Sequence, residues 1–230
     1  MNDIAKRFQR DTADHEMTVL HDDGLYRHLL FHRVVRKPGE KLSRTDLYWF
    51  ELITAPGSLI FQGDGESFVF RRLEDMFAFF RDSAWNGAPN IDYWAEKLTD
   101  GCDRVVVYQQ EMLVQQVKEA VGEAKLDGLL AAVQEEVLDQ LLDDSNWDRK
   151  LVDDFRFYVN GDDKYDYRKS PDFEFWCPLE WNCTGYHWWF LWACHAIVWG
   201  IAKYDAYRAD KAEIAREVRD DRTRDAAGLE

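Results

Sequence analysis

The chain has 230 residues, 34 of them aromatic, with 29 Lys and Arg against 44 Asp and Glu and a formal net charge of −15. At roughly 150 residues per domain this length allows one large domain or two small ones with a real core. So much Trp, Tyr and Phe excludes disorder throughout, because burial at about 25 cal/mol per Å² offsets the ordering entropy. The negative charge, with Lys and Arg scattered in runs no longer than two, disfavours direct nucleic-acid binding, since phosphates are repelled.

The first residues, Met1 to Arg7, lack the apolar stretch of a secretory signal, so Cys102, Cys177, Cys183 and Cys194 read as reduced thiols in a cytoplasm. Residues 188–202 are nearly all apolar, but they are 15 positions with His195 among them, whereas a bilayer span needs about 20. The segment reads as a buried central helix, and no membrane association is expected.

In chain order, residues 1–24 mix charges with widely spaced Ile4, Phe8, Met17 and Leu20. They predict an N-terminal helix, or two short ones, closed at Gly24. Leu25 to Val35 suits a strand, turned by Lys37-Pro38-Gly39. Asp46 to Thr54 is a second strand, stopped by Ala55-Pro56-Gly57. Ser58 to Gln62 and Ser67 to Arg71 are two more, around Gly63-Asp64-Gly65-Glu66, whose glycines suit a tight hairpin. Four strands on short connections predict an antiparallel meander. Arg72 to Arg81, with Leu73, Met76, Phe77 and Phe80 at helical spacing, predicts a helix covering one sheet face.

Asn90 is a candidate N-cap for a short helix through Leu98, and Val105 to Tyr108 suits either a strand or the start of the next helix. Leu113, Val114, Val117 and Val121 mark one helix, and Leu130, Val133, Val137 and Leu141 another beyond Leu126-Asp127-Gly128. Val152, Phe155 and Val159 continue the helical rhythm over 148–159. Asn160 to Lys169 is polar and turn-rich, and Phe173 to Trp176 suits a short strand or extended segment. Thr184 or Gly185 opens the aromatic helix, which runs at least to Tyr204, and the tail alternates charge signs like a solvated helix that frays.

The fold class expected is α+β: an antiparallel β-meander packed by a helix, then a mostly helical C-terminal half with one long buried aromatic helix. The layout expected is a sheet with covering helices over 1–100, an acidic helical region with the aromatic helix over 101–210 packed on the sheet as one domain, and a charged, partly disordered tail over 211–230.

Candidate chemistry is sparse. His28 and His32 are four apart, but on a strand that is about 13 Å, too far to share a zinc ion. Cys177, Cys183, His187, Cys194 and His195 lack the paired short knuckles of structural zinc sites. The turn at Asp64 and Glu66 has neither the length nor the ligand pattern of a calcium loop, and reads as a hairpin turn that could still serve as an exposed contact. No nucleophile elbow, phosphate loop, dinucleotide fingerprint or metalloprotease motif occurs. That argues against an enzyme, and no cofactor and no metal are expected.

The acid distribution is more suggestive. Between Gly122 and Asp166 stand 13 Asp or Glu against 5 Lys or Arg, a net of −8, with doublets at Glu135-Glu136, Asp143-Asp144, Asp153-Asp154 and Asp162-Asp163. Rows of carboxylates on helices could imitate duplex phosphates and occupy a basic groove on another protein. The plainer explanation is a solvated face that keeps the chain soluble.

Asp14-His-Glu-Met17, Asp22-Asp-Gly-Leu-Tyr-Arg-His28, Tyr48-Trp-Phe-Glu-Leu-Ile-Thr54, Gly63-Asp64, Phe68-Val-Phe-Arg71, Asp75-Met-Phe-Ala-Phe-Phe-Arg81 and the run Phe190 to Ile201 together resemble a family of uncharacterised proteins encoded by tailed bacteriophages and prophages. The resemblance extends from about residue 11 to residue 205 and departs at Ala55 and at Gly65-Glu66. It implies a phage-encoded accessory protein acting in the cytoplasm of an infected bacterium, with no catalytic residue to carry over.

The leading expectation is a protein that binds a host or phage macromolecule, for instance to inhibit a defence system or nucleic-acid enzyme. Its partner-binding residues would be Glu135, Glu136, Asp143, Asp144, Asp153, Asp154, Asp64 and Glu66. The alternative is a nucleotide or small-molecule binding or hydrolysing protein with a pocket between the sheet and the Trp188 to Trp199 helix. Exposed apolar surface on so aromatic a chain would favour a homo-oligomer.

Overall fold

A computed structural model of the chain describes residues 3–36, 39, 43–142 and 145–227. Its elements in chain order are α1 (Asp3–Asp11), β1 (His15–Asp23), β2 (Tyr26–Val35), β3 (Ser43–Ala55), β4 (Ser58–Gly63), β5 (Ser67–Arg71), α2 (Met76–Ser83), α3 (Ile91–Ala95), β6 (Leu98–Asp100) and β7 (Val106–Tyr108). There follow α4 (Gln110–Ala124), α5 (Leu129–Glu136), α6 (Ser145–Asp154), β8 (Arg156–Phe157), β9 (Phe173–Glu174), β10 (Thr184–Tyr186) and α7 (Trp188–Ala227). The chain is α+β, with β1 to β6 paired antiparallel in chain order as one six-stranded sheet.

The four central strands lie where alternation and turn residues put them. At the N-terminus the expectation of helix up to Gly24 holds only for α1. His15–Asp23 is instead an edge strand, in register with β2 from His15↔Arg33 to Asp23↔Tyr26, and Gly24 at φ +60 makes the tight turn between them. Met17 and Val19, two apart, both pack on the core, a spacing that fits a strand and not a helix. The expected turn at Lys37-Pro38 lies outside the described residues.

α2 begins later than the apolar spacing suggests. The Asp75 carboxylate accepts hydrogen bonds from the Phe77 and Ala78 amides at 2.9 and 3.4 Å, a capping geometry that starts the helix at Met76 and leaves Leu73 exposed. Asn90 precedes α3 without a side-chain capping bond, and Leu98 belongs to β6, not to that helix.

The main cover of the sheet is α7. Its first turns are apolar on every side, the pattern of a helix with neighbours all round. Trp189, Phe190, Trp192, Ala196 and Ile197 are buried in one cluster with Leu29, Phe31, Phe50, Leu52, Phe61 and Phe68 of the sheet. A Cβ on Gly200 would stand 2.8 Å from Leu52 Cδ1 and 3.1 Å from Phe31 Cζ, so only glycine lets the helix backbone come this close. On its other side Phe8 of α1 meets Trp192 and Trp199 at 5.0 and 6.0 Å. α2 shares the cover, with Phe80 edge-on to Phe70 at 5.3 Å and Phe77 to Tyr204 at 5.4 Å. The helix starts at Trp188 and not at Thr184 or Gly185, which lie in β10, and its backbone stays helical to Ala227.

A polar clasp joins four of these elements. Arg27 of β2 makes a two-pronged bond to Asp75 at 2.9 and 3.2 Å, with its guanidinium 4.7 Å from the Phe77 ring centroid. Asp22 of β1 accepts the Tyr204 hydroxyl at 2.6 Å and Arg208 at 2.8 Å. The Tyr204 bond chiefly holds the Asp22 carboxyl below its ordinary range.

The chain forms two compact units: residues 1–105 with 186–230, and residues 106–185. The first is closed where the chain leaves and returns, since the His187 amide donates to the Val105 carbonyl at 2.8 Å. The second is mostly helical. Leu113, Val117, Val121, Leu129, Val133, Val137, Val152, Phe155 and Phe175 form its core; Val133 and Val137 are buried as expected, but Leu129 takes the first core place in α5 and Leu130 is exposed. The helical rhythm over 148–159 breaks after Asp154, where Arg156-Phe157 pairs with Phe173-Glu174 and leaves Val159 exposed. The Asp148 carboxylate is fully buried and accepts bonds from the Tyr108 hydroxyl, Gln110 Nε2 and the Leu142 amide at 3.1, 3.3 and 2.6 Å. Three donors compensate its loss of water.

Candidate functional site

Residues 106–185 carry 18 Asp or Glu against 8 Lys or Arg, a net of −10 of the chain's −15. Within this unit Glu135 and Glu136 are the last two residues of α5 and are exposed. Asp153 and Asp154 are the last two of α6, the first half-buried, the second exposed and 2.9 Å from Lys150. Neither helix has a basic residue in its last turn. Carbonyl groups give a helix C-terminus a partial negative charge, so a carboxylate there is disfavoured by about 0.3–1 kcal/mol, where Lys or Arg would be favoured. Both doublets therefore sit where the helix dipole disfavours them, with the Lys150 pair offsetting part of that at Asp154. Asp143 and Asp144 lie outside the described residues.

Asp64 and Glu66 belong to the β4–β5 turn of the first unit, and their groups are engaged in it. The Asp64 carboxylate accepts the Tyr48 amide at 3.2 Å, and its own amide donates to the Trp49 carbonyl at 3.1 Å. Glu66 pairs with Arg104 at 3.2 Å, and its carbonyl accepts the Trp189 indole N–H at 3.3 Å. A Cβ on Gly65 would lie 2.7 Å from the Trp189 ring, so this glycine is there for close approach; neither it nor Gly63 has the positive φ of a tight hairpin turn. These two acids hold a turn against the core.

Residues that the sequence did not single out join the second unit's surface. Trp176 is 84% exposed, and Leu179 and Trp147 are also largely exposed. The segment between the first two is rigidly made. Cys177 has φ +46, Pro178 is buried, the Glu180 amide donates to the Cys177 carbonyl at 2.9 Å, and the Trp181 indole donates to the Trp176 carbonyl at 3.1 Å. Large aromatic side chains fixed in water are the usual energetic anchors of protein interfaces. Apolar residues normally read as core, so sequence alone gives no signal that these are outside.

The space between sheet and aromatic helix, expected as a pocket, is filled. Phe31, Phe50, Phe61, Trp189 and Trp192 occupy it at full burial, with Trp189 stacked on Trp192 at 4.7 Å. Open space lies on the other side of α7, as adjoining cavities of about 200 and 350 Å³ that share Gly87, Val198 and Ala202. Phe8, His195 and Trp199 line the larger, and Arg81, paired with Asp205, borders the smaller. Burial holds the His195 imidazole below its ordinary pKa, so it is neutral at pH 7.

Among the described residues no three His, Cys, Asp or Glu side chains are placed to hold a metal ion, and no helix is long and apolar enough to cross a membrane. No protein-family model, curated protein or solved structure matches the chain.

Proposed function

We propose that the chain is a binding protein whose residues 106–185 dock onto a basic surface of a host or phage protein inside a bacterium, in the manner of an inhibitor of a defence or nucleic-acid enzyme. The observation that carries this reading is the placement of Glu135-Glu136 and Asp153-Asp154 at helix C-termini. A face needed only for solubility would place its acids where helix dipoles favour them, so acids kept at an energetic disadvantage point to selection for contact. The Trp176–Leu179 turn supplies exposed apolar anchors in the same unit.

The test is a variant with Glu135→Gln, Glu136→Gln, Asp153→Asn and Asp154→Asn, compared with the parent on the partner captured from nuclease-treated bacterial lysate. The partner complex should weaken about tenfold or more at low salt and lose much of its salt dependence. The melting temperature should hold or rise slightly, because unfavourable end charges have gone. Unchanged affinity at every salt concentration would overturn the reading.

A second reading, a small-molecule site, has its own observation in the cavities beside α7, where neutral His195 offers a hydrogen bond amid Phe8 and Trp199. It predicts a raised melting temperature with a nucleotide, with or without divalent metal, and loss of that rise on Val198→Trp, which fills the cavities. A flat screen would remove it.

A further inference from the structure

β3 is irregular at one place. Thr45 faces Arg33 of β2 and Phe50 faces Phe31, so the four residues Asp46 to Trp49 stand opposite His32 alone. The bulge is built, with Tyr48 held at φ +56, a left-handed backbone that a side chain disfavours. His15 Nε2 lies 3.0 Å from the Tyr48 carbonyl oxygen and donates to it when that nitrogen carries the proton. From the other side Asp64 accepts the Tyr48 amide and donates to the Trp49 carbonyl. The Tyr48 ring lies over Trp192 and Trp189, with centroids at 5.9 and 6.4 Å and planes within 30°.

Both histidines are buried. His32 is 5% exposed, and neither of its ring nitrogens has a hydrogen-bond partner among the described residues; the same is true of His15 Nδ1. A neutral imidazole tolerates this, but an imidazolium would hold two charged N–H donors out of water. The charged groups facing the pair are Asp14 and Glu16 from β1 and its approach, Arg33 from β2, and Arg44 and Asp46 from β3. Asp14 is already bonded to Arg33 at 3.0 Å and Glu16 to Arg36, so neither acid is idle. Burial accordingly holds both imidazoles below the ordinary histidine value.

We propose that the Asp46–Trp49 bulge is an acid-sensitive latch: proton uptake by His32, supported by His15, lifts the bulge and withdraws the Tyr48 ring from Trp189 and Trp192. Protonated His32 reaches water by displacing the residues opposite it. Protonated His15 still donates to Tyr48, but adds a second cation beside Arg33 with a bare Nδ1–H. The lifted state uncovers the side of the stacked Trp189–Trp192 pair that the Tyr48 ring covers. This inference is independent of the acidic docking face.

The test is an NMR titration of the full chain from about pH 7.5 to about pH 5, with far-UV circular dichroism alongside. The Leu47 to Trp49 amides and the Trp189 and Trp192 indole signals should move reversibly with the His32 ring, at a midpoint below the ordinary histidine value, with helix and sheet content constant. His32→Phe should abolish the movement, and His28→Gln, a half-buried neighbour on β2, should leave it. Three results would overturn the latch: bulge signals that stay fixed while His32 titrates, a His32 that stays neutral throughout, or one global unfolding step. The unsubstituted chain decides the question even if His32→Phe does not fold.

Discussion

Trp192→Ala removes about 4 kcal/mol of stability, within the range of Trp-to-Ala core truncations and a quarter or more of a domain's usual 5–15 kcal/mol. The side chain is fully buried and meets Phe8, Tyr48, Phe50, Phe61 and Trp189 with ring centroids 4.7 to 6.5 Å away. Its indole N–H also donates to Asp11 at 3.3 Å, tying α1 to α7. Removing it opens a cavity that surrounding rings, being rigid, fill poorly. Urea denaturation followed by circular dichroism gives the loss directly. The control is Trp176→Ala, the same chemical change at an exposed position, which should stay within about 0.5 kcal/mol. Equal losses at the two tryptophans would contradict the burial of α7.

The second large effect is at Asp75. Asp75→Ala should cost about 3 kcal/mol, through two losses that share one residue. The cap of α2 goes, leaving the Phe77 and Ala78 amides without their acceptor. The Arg27 guanidinium, whose side chain is 10% exposed, is stranded without its counter-ion. Removing the other partner should cost less, because the Asp75 side chain is 31% exposed and can rehydrate. Arg27→Met should therefore recover part of the loss when combined with Asp75→Ala, a coupling that a double-mutant cycle measures.

The same pair sets a pH dependence. Burial pushes the Asp75 carboxyl up, but the bonds and charge of Arg27 outweigh it and hold the carboxyl below its ordinary value. Its contribution is thus fully present above the ordinary carboxylate value and is lost as pH falls through the depressed one. Acid unfolding of Asp75→Asn should be correspondingly less steep in that range.

Much of this fold can be read from local pattern. β2 to β5 alternate and are punctuated by Pro56-Gly57 and Gly63, so local chemistry and tertiary structure agree. α7 is legible because an all-apolar run has nowhere to go except inside. β1 is not, since His15 to Asp23 is polar and its two core residues, Met17 and Val19, are too few to establish a period. The acidic doublets are visible as composition, but their position at the helix ends depends on where α5 and α6 stop. The roles of Asp64 and Glu66 depend on Tyr48, Arg104 and Trp189, partners distant in sequence. The Asp46–Trp49 bulge is equally hidden, because His15, His32 and Asp64 define it together.

The insertion of residues 106–185 ahead of α7 has a consequence for synthesis on the ribosome. By Arg71 the five main strands have been made, with Phe31, Phe50, Phe61, Phe68 and Phe70 lining a face that α7 will later cover. More than a hundred further residues must be translated before Trp188 to Ile201 appear. At about 5–20 residues per second, that leaves an oily, strand-rich nascent chain without its lid for on the order of ten seconds. Such a chain would be a client for the ribosome-associated chaperones of its cell, and expression at lower temperature or with added chaperone should raise its yield.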